Sequence, residues 1–281
     1  MGGVGFGLLA AFTFAGMNFA GSLSAAISSV AVILAARSAA LVVLSVATGG
    51  GVSISEARGR DYILLIVRGL CEALGVMFWV LSLRHIGPTT ALVILMVAPL
   101  VATCINALKN AGPTLLYALA SGAFSLVGVG LIVGVGEPST VGIFYASASS
   151  LMLLVSLFVM QHLVISQRPS TIILITSFTS LFLFIPFACQ DLEWNGVATG
   201  MSIGVLAFFG NYFLARAFRS AATPFVVYGT YYLQVPILYS FEVVAGLSEI
   251  GLFQVSGIAL TIAGSFLASF VERRVNGVTC K

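Results

Sequence analysis

Very little of this sequence is charged: 12 Lys and Arg and 9 Asp and Glu make up 7% of 281 residues. Soluble domains carry about 25%, so a globular core with an ordinary water-facing surface is excluded. Aspartate occurs only at Asp61 and Asp191, and histidine only at His85 and His162. Paired intramembrane aspartates, a HExxH helix and a nucleophile with a histidine base are therefore missing, and an intramembrane enzyme is not expected. A phosphate-binding GxxxxGK[ST] loop is also missing, which argues against nucleotide hydrolysis in this chain. The cysteines, Cys71, Cys104, Cys189 and Cys280, show no CxxC or zinc-like spacing. They read as small buried hydrophobes, so no metal and no cofactor is expected. No hydrophilic insert is long enough to form a soluble domain, and nucleic acid is not an expected partner.

What is present is apolar sequence. The chain is 59% hydrophobic with a mean hydropathy of +1.12, and runs of about 20 apolar residues recur from end to end. The runs do not alternate polar and apolar residues as barrel strands do. About ten spans are predicted, near 4–21, 28–48, 62–83, 89–108, 114–134, 140–162, 171–189, 200–217, 224–246 and 251–271. Turn sequences separate them: GGGVSISEARGRD at 49–61, NAGP at 110–113, GEPST at 136–140, SQRPST at 166–171 and QDLEWNG at 190–196. The start, MGGVGFGLLAAFTFAG, lacks a basic region and reads as the first span rather than a cleaved signal. Phe6 stands where myristoylation wants Ser or Thr, and the final TCK is not a prenylation box.

The charges sort between the two sides when the first residue is placed inside. Arg58, Arg60, Lys109, Arg168, Arg216, Arg219, Arg273, Arg274 and Lys281 then face the cytoplasm. Glu137, Asp191, Glu193 and Glu249 face away, with Arg84 the one cation among them. Basic residues in short loops set orientation, so a plasma (inner) membrane protein with both termini cytoplasmic is expected.

The chain also repeats itself. Residues 78–99, FWVLSLRHIGPTTALVILMVAP, and 213–236, FLARAFRSAATPFVVYGTYYLQVP, share an order of features. Each runs from aromatic residues to a basic residue at a helix end (Arg84, Arg219). A turn with Pro88 or Pro224 follows, then a helix interrupted by Pro99 or Pro236. The alignment needs a gap of two residues. Spans three and four then correspond to spans eight and nine, giving repeats over 1–135 and 136–281. An odd number of spans per repeat makes the two halves inverted, a plan common among secondary transporters. The expected fold is thus an all-α membrane protein of ten transmembrane helices in two inverted five-helix repeats.

The ordered motifs resemble the drug/metabolite transporter superfamily, EamA-like branch, over essentially the whole chain. They are GMNFAGS with Asn18, the AAR ending at Arg37, RGL…G…FW at 68–79, PTTA at 88–91, and Pro99. In the second half they are ARAF at 215–218, Pro236, GLSE at 246–249 and GIALTIAGSF at 257–266. The RG…W…TTA…P run most resembles branches that include S-adenosylmethionine carriers and related organic-solute carriers. The pattern departs from the family at Gly112, where an acid often ends span four. The resemblance implies ten helices around a central cavity lined largely by spans three, four, eight and nine, with alternating access and small organic substrates.

Several polar residues fall within the spans. Arg68 and Glu72 are four apart, on one helix face, where they can pair. Each charge alone would cost roughly 2.5–3.5 kcal/mol at a membrane helix centre. Glu72 can bind a substrate amine or carry a proton, Arg68 can hold a carboxylate, and a structural ion pair is the alternative. Arg37 lies near the middle of span two and can cap carbonyls, anchor a gate or bind an anion. In span nine, Tyr228, Tyr232, Tyr239 and Glu242 follow one face, interrupted by Pro236, whose missing donor frees a carbonyl. Interfacial anchoring is the alternative for the tyrosines. Trp79 reads equally as an aromatic belt or a cavity wall. Asn18, Asn106 and Asn211 are amides that serve as interhelical glue or as ligands. Pro99 and Pro236 are the expected hinges.

These features predict a secondary transporter for an amino-acid-like or otherwise zwitterionic or aromatic metabolite. Its expected partners are the solute, coupled protons or an exchanged solute, and lipid, in a monomer or homodimer. A channel-like permease is the alternative; a pore loop or charged rings would mark it.

Overall fold

The computed structural model describes residues 2–24, 28–50, 59–109, 114–133, 139–190, 192–221, 224–249 and 251–279. The repeat boundary at 135/136, the turn at 110–113, Arg58, Glu137, Asp191, Cys280 and Lys281 lie outside them. Among the described residues twelve helices follow in order: α1 (Gly3–Ser24), α2 (Val30–Ala47), α3 (Gly59–Leu83), α4 (Pro88–Leu95), α5 (Val97–Lys109), α6 (Thr114–Val133), α7 (Thr140–Ser166), α8 (Pro169–Ala188), α9 (Trp194–Ser220), α10 (Pro224–Tyr231), α11 (Gln234–Val244) and α12 (Leu252–Thr279). No strand occurs among the described residues.

Seven segments of the described residues are long and apolar enough to cross a membrane: 3–23, 30–47, 60–83, 88–106, 140–166, 169–188 and 194–220. Shorter apolar runs occupy Leu119–Leu131 of α6 and Leu252–Gly264 of α12. The outer surface matches lipid rather than water. Phe182 is 85% and Phe144 66% exposed, whereas Arg68 is 2% exposed. Apolar groups outside and a buried arginine reverse the soluble pattern and suit a multi-pass membrane protein.

Two helix pairs, α4–α5 and α10–α11, are separated by breaks, each one turn ahead of a proline. Pro99 has no N–H for the carbonyl of Leu95, and its ring crowds that carbonyl. The helix accordingly stops at Leu95 and restarts at Val97. Ser150 of α7 approaches the freed Leu95 carbonyl, Oγ to O, at 3.5 Å. Pro236 leaves the carbonyl of Tyr232 without its helical donor in the same way, and α10 ends at Tyr231. That carbonyl instead accepts the Val235 N–H at 3.1 Å in a tight turn. The breaks therefore sit at Met96 and at Tyr232–Leu233, not at the prolines themselves. Pro88 and Pro169 open α4 and α8 at their first positions, where a missing donor costs nothing.

Packing alternates between the halves of the chain. α1 lies along α9 and α3 along α7, while α2 packs on α8 and α9 and α6 on α12. Small residues permit the close approaches. A Cβ at Gly200 of α9 would stand 2.7 Å from the Ala36 Cβ, and one at Gly204 would stand 2.6 Å from the Ala40 Cβ. With lipid outside, such backbone proximity and interhelical polar contacts replace the hydrophobic drive of soluble folds.

Candidate functional site

With α2 packed on α9 and α3 on α7, the approach of α2 to α3 brings together two buried arginines and a half-buried glutamate. Arg37 of α2 places Nη2 2.9 Å from Oε1 of Glu72 on α3. Arg68, one turn before Glu72, places Nη1 3.4 Å from Oε2. Glu72 is thus bracketed by two guanidinium groups. Arg68 continues the network, donating from Nη1 to Thr176 Oγ1 of α8 at 3.3 Å and from Nη2 to Asn211 Oδ1 of α9 at 3.0 Å. Asn211 Nδ2 donates to the Ala207 carbonyl at 3.0 Å, which fixes the orientation of its amide. One arginine therefore ties α3 to α8 and α9.

These charges line a cavity of about 90 Å³. A water needs roughly 10–15 Å³ on this measure, so the space holds several waters or part of a small solute. Phe14, Met17 and Asn18 of α1, Trp79 of α3 and Tyr231 of α10 form much of its wall. Ser149, Leu153, Ser156, Leu157 and Met160 recur along one face of α7. Asn18 Nδ2 donates to Gln234 Oε1 at 3.3 Å, joining α1 to the start of α11. Gln234 Nε2 in turn approaches the Met96 sulfur at 3.5 Å, at the break between α4 and α5. The amide pair thus sits between the two broken helices.

Of the residues singled out in the sequence, Asn18, Arg37, Arg68, Glu72, Trp79 and Asn211 line this cavity. Trp79 is 2% exposed, so it is a wall residue and not part of a lipid-facing belt. The span-nine stripe is placed differently. Tyr228, Tyr232, Tyr239 and Glu242 are all buried, but none lines the cavity. The turn at Tyr232–Leu233 resets the helical register, so Tyr231 and Gln234 face the space instead. Tyr228 donates its hydroxyl to Gln161 Oε1 at 3.2 Å and meets the Phe218 ring edge-on. The Tyr232 hydroxyl is buried without a partner. Tyr239 donates to the carbonyl of Glu249. Asn106 donates to the Ala102 carbonyl at 2.9 Å. Pro99 and Pro236, the expected hinges, stay outside the wall, although Leu95, beside the first break, is part of it.

The sequence offered signals for some of what it missed. Gln234 is a lone amide two residues before an intrahelical proline, and Ser149 and Ser156 lie seven apart in an apolar helix. Tyr231 carried no such signal, because only the break turns it inward. The lining is also wider than spans three, four, eight and nine. The packing of α1 on α9 and of α7 on α3 adds one helix to each side, and α2 delivers Arg37.

Glu242 forms a separate contact. Its Oε2 accepts from Thr89 Oγ1 at 2.7 Å and Ser248 Oγ at 3.2 Å, while Oε1 is buried without a partner. Thr89 is in the first turn of α4, where the helix end favours a carboxylate. Glu242 thus fastens α11 to the start of α4. Glu242→Gln is expected to lower stability by about 1–3 kcal/mol, the range for a disturbed buried charged acceptor. It should leave solute affinity unchanged, because the side chain is not in the cavity wall. Thermal unfolding with and without solute checks both parts.

No known family matches the chain, and no curated protein matches it. Solved structures do: 28 chains match, and one crystal structure covers 96% of this chain and 98% of its own. Its TM-score is 0.73 at 16% identity, a likeness of fold alone.

Proposed function

We propose that this protein is a secondary transporter that moves a small organic solute across a membrane by alternating access. The observation that carries the reading is the Arg37–Glu72–Arg68 cluster, with both arginines buried, on a cavity whose wall comes from both halves of the chain. Buried intramembrane charges mark substrate or ion pathways, and carriers place such sites at broken helices between repeats. Taking α4 with α5 and α10 with α11 as single spans makes ten, in two inverted repeats of five. Three parallels favour this count. α1 on α9 mirrors α7 on α3, both broken spans break ahead of a proline, and α2 faces α8 across the centre. Likeness to the EamA-like drug/metabolite transporters is part of the same reading, as is an inner-membrane location with both termini cytoplasmic. The channel-like alternative is less favoured, because the wall is built from a single chain around a small space.

Cys71 belongs to the cavity wall and supplies the test. In full-length protein with Cys104, Cys189 and Cys280 replaced by serine, Cys71 should react with impermeant thiol reagents from one side of oriented vesicles. Conditions that drive exchange should move that reactivity to the other side. Simultaneous reaction from both sides would identify a channel, and protection from both under all conditions would remove the carrier reading.

A further inference from the structure

The cavity offers more donors than acceptors. Its charged wall residues among those described are Arg37, Arg68 and Glu72, two positive and one negative, leaving a net charge of +1. Neither arginine is more than 2% exposed. A buried positive charge with no counter-ion is strongly unfavourable in a low-dielectric interior, so the arrangement calls for an anion. Hydrogen bonding gives the same answer independently. Nε of Arg37, Nε of Arg68 and Nε1 of Trp79 are buried N–H donors with no partner. The one carboxylate in the wall accepts from Arg37 at Oε1, 2.9 Å away, and its Oε2, 3.4 Å from Arg68, is the wall's single buried acceptor without a hydrogen bond set against these three donors.

An ammonium group fits poorly in such a place. It would have to compete with two guanidinium groups for Glu72 while standing beside both, and like charges at that range repel. The zwitterionic solute expected from the sequence drew on Arg37, Arg68, Glu72 and Glu242 together, and of these Glu242 lies outside the wall. Phe14, Trp79 and Tyr231 supply flat apolar surface for the remainder of a ligand.

Resting on the carrier reading, the geometry points to a solute with one carboxylate-type anionic group, no ammonium group and an apolar or aromatic body. The anion settles near Arg37 and Arg68 and completes their neutralisation, and the body packs against Trp79. Glu72 acts as a positioning residue that holds the two arginines in register rather than as a ligand for the solute.

The two tryptophans make this measurable, since Trp194 is exposed at the start of α9 and can be replaced by phenylalanine. Trp79 fluorescence of the full-length Trp194→Phe protein is then titrated with benzoate, benzamide, benzylamine, phenylalanine and chloride. Benzoate is expected to give a saturable change at least about tenfold tighter than any of the others, the scale of one well-placed charge interaction. Arg37→Gln should weaken benzoate by at least about tenfold and Arg37→Lys should restore part of the loss. Glu72→Gln should weaken benzoate without abolishing it, because the two arginines lose the group that aligns them, and Glu72→Asp should restore part of the loss, with folding checked by size exclusion. Should that variant not fold, the wild-type series decides. Phenylalanine or benzylamine binding as well as benzoate overturns the inference, as does chloride matching benzoate, or no response to benzoate. Wild-type benzoate affinity in a folded Glu72→Gln protein overturns the positioning role. Flux in liposomes separates the two readings. Benzoate bound without saturable flux supports the anion site and removes the carrier, whereas saturable flux of phenylalanine but not benzoate keeps the carrier and removes the anion assignment.

Discussion

Replacing Arg68 with alanine is expected to lower stability by about 3–5 kcal/mol, the range for breaking a buried ion pair by deleting one partner. The effect should be large because Arg68 is 2% exposed and joins three helices. Its loss leaves Thr176 Oγ1 and Asn211 Oδ1 without their donor and Glu72 with Arg37 alone. Arg68→Lys should fall between the two, because an ammonium cannot reproduce the forked geometry that reaches α8 and α9 together. In a double-mutant cycle, Arg68→Ala with Glu72→Gln should lose less than the sum of the single variants, by about 0.5–3 kcal/mol for groups in contact. Unfolding of the purified protein in detergent measures all three. A near-wild-type midpoint for Arg68→Ala would show that this arginine does not hold the bundle together.

Gly204→Leu is expected to be comparably severe through backbone distance. A Cβ at this position would lie 2.6 Å from the Arg37 carbonyl oxygen and 2.6 Å from the Ala40 Cβ. Neither is the movable end of a side chain, so α9 must retreat from α2. Overpacking of this kind costs about 1–3 kcal/mol, sometimes more. Retreat also draws Asn211 from Arg68 and Arg37 from Glu72, so solute binding should fall together with stability. Gly204→Ala should show a graded effect, and Gly130→Ala, where a Cβ meets nothing within 4 Å, should show little. Thermal midpoints and benzoate titrations on the three variants test the coupling. A well-bound ligand in a strongly destabilised Gly204→Leu protein would separate packing from the site.

Both expectations concern contacts that the sequence carried only in part. The Arg68–Glu72 pair was legible because residues four apart on a helix must meet, whatever surrounds them. That Arg37 shares Glu72 was not, because the two are 35 positions apart and only the approach of α2 to α3 joins them. The glycines at 200 and 204 were visible as letters but carried no partner until α2 was seen against them. The tyrosine stripe shows the opposite failure. Its periodicity was real, but periodicity assumes an unbroken helix, and the turn at Tyr232–Leu233 exchanged Tyr231 and Gln234 for Tyr232 in the wall.

The sequence by itself determined that this protein is an all-helical chain built for lipid, where most of its helices begin and end to within a few residues (α9 and α12 run further than expected), and that prolines break two of them. Those are local consequences of apolar run length and of donors that proline lacks. The tertiary structure alone decided which polar residues share a chamber, that Glu242 is a fastening outside it, and that the chamber holds two guanidinium groups against one carboxylate. Such facts depend on distances between segments far apart in the chain, which no short-range pattern encodes.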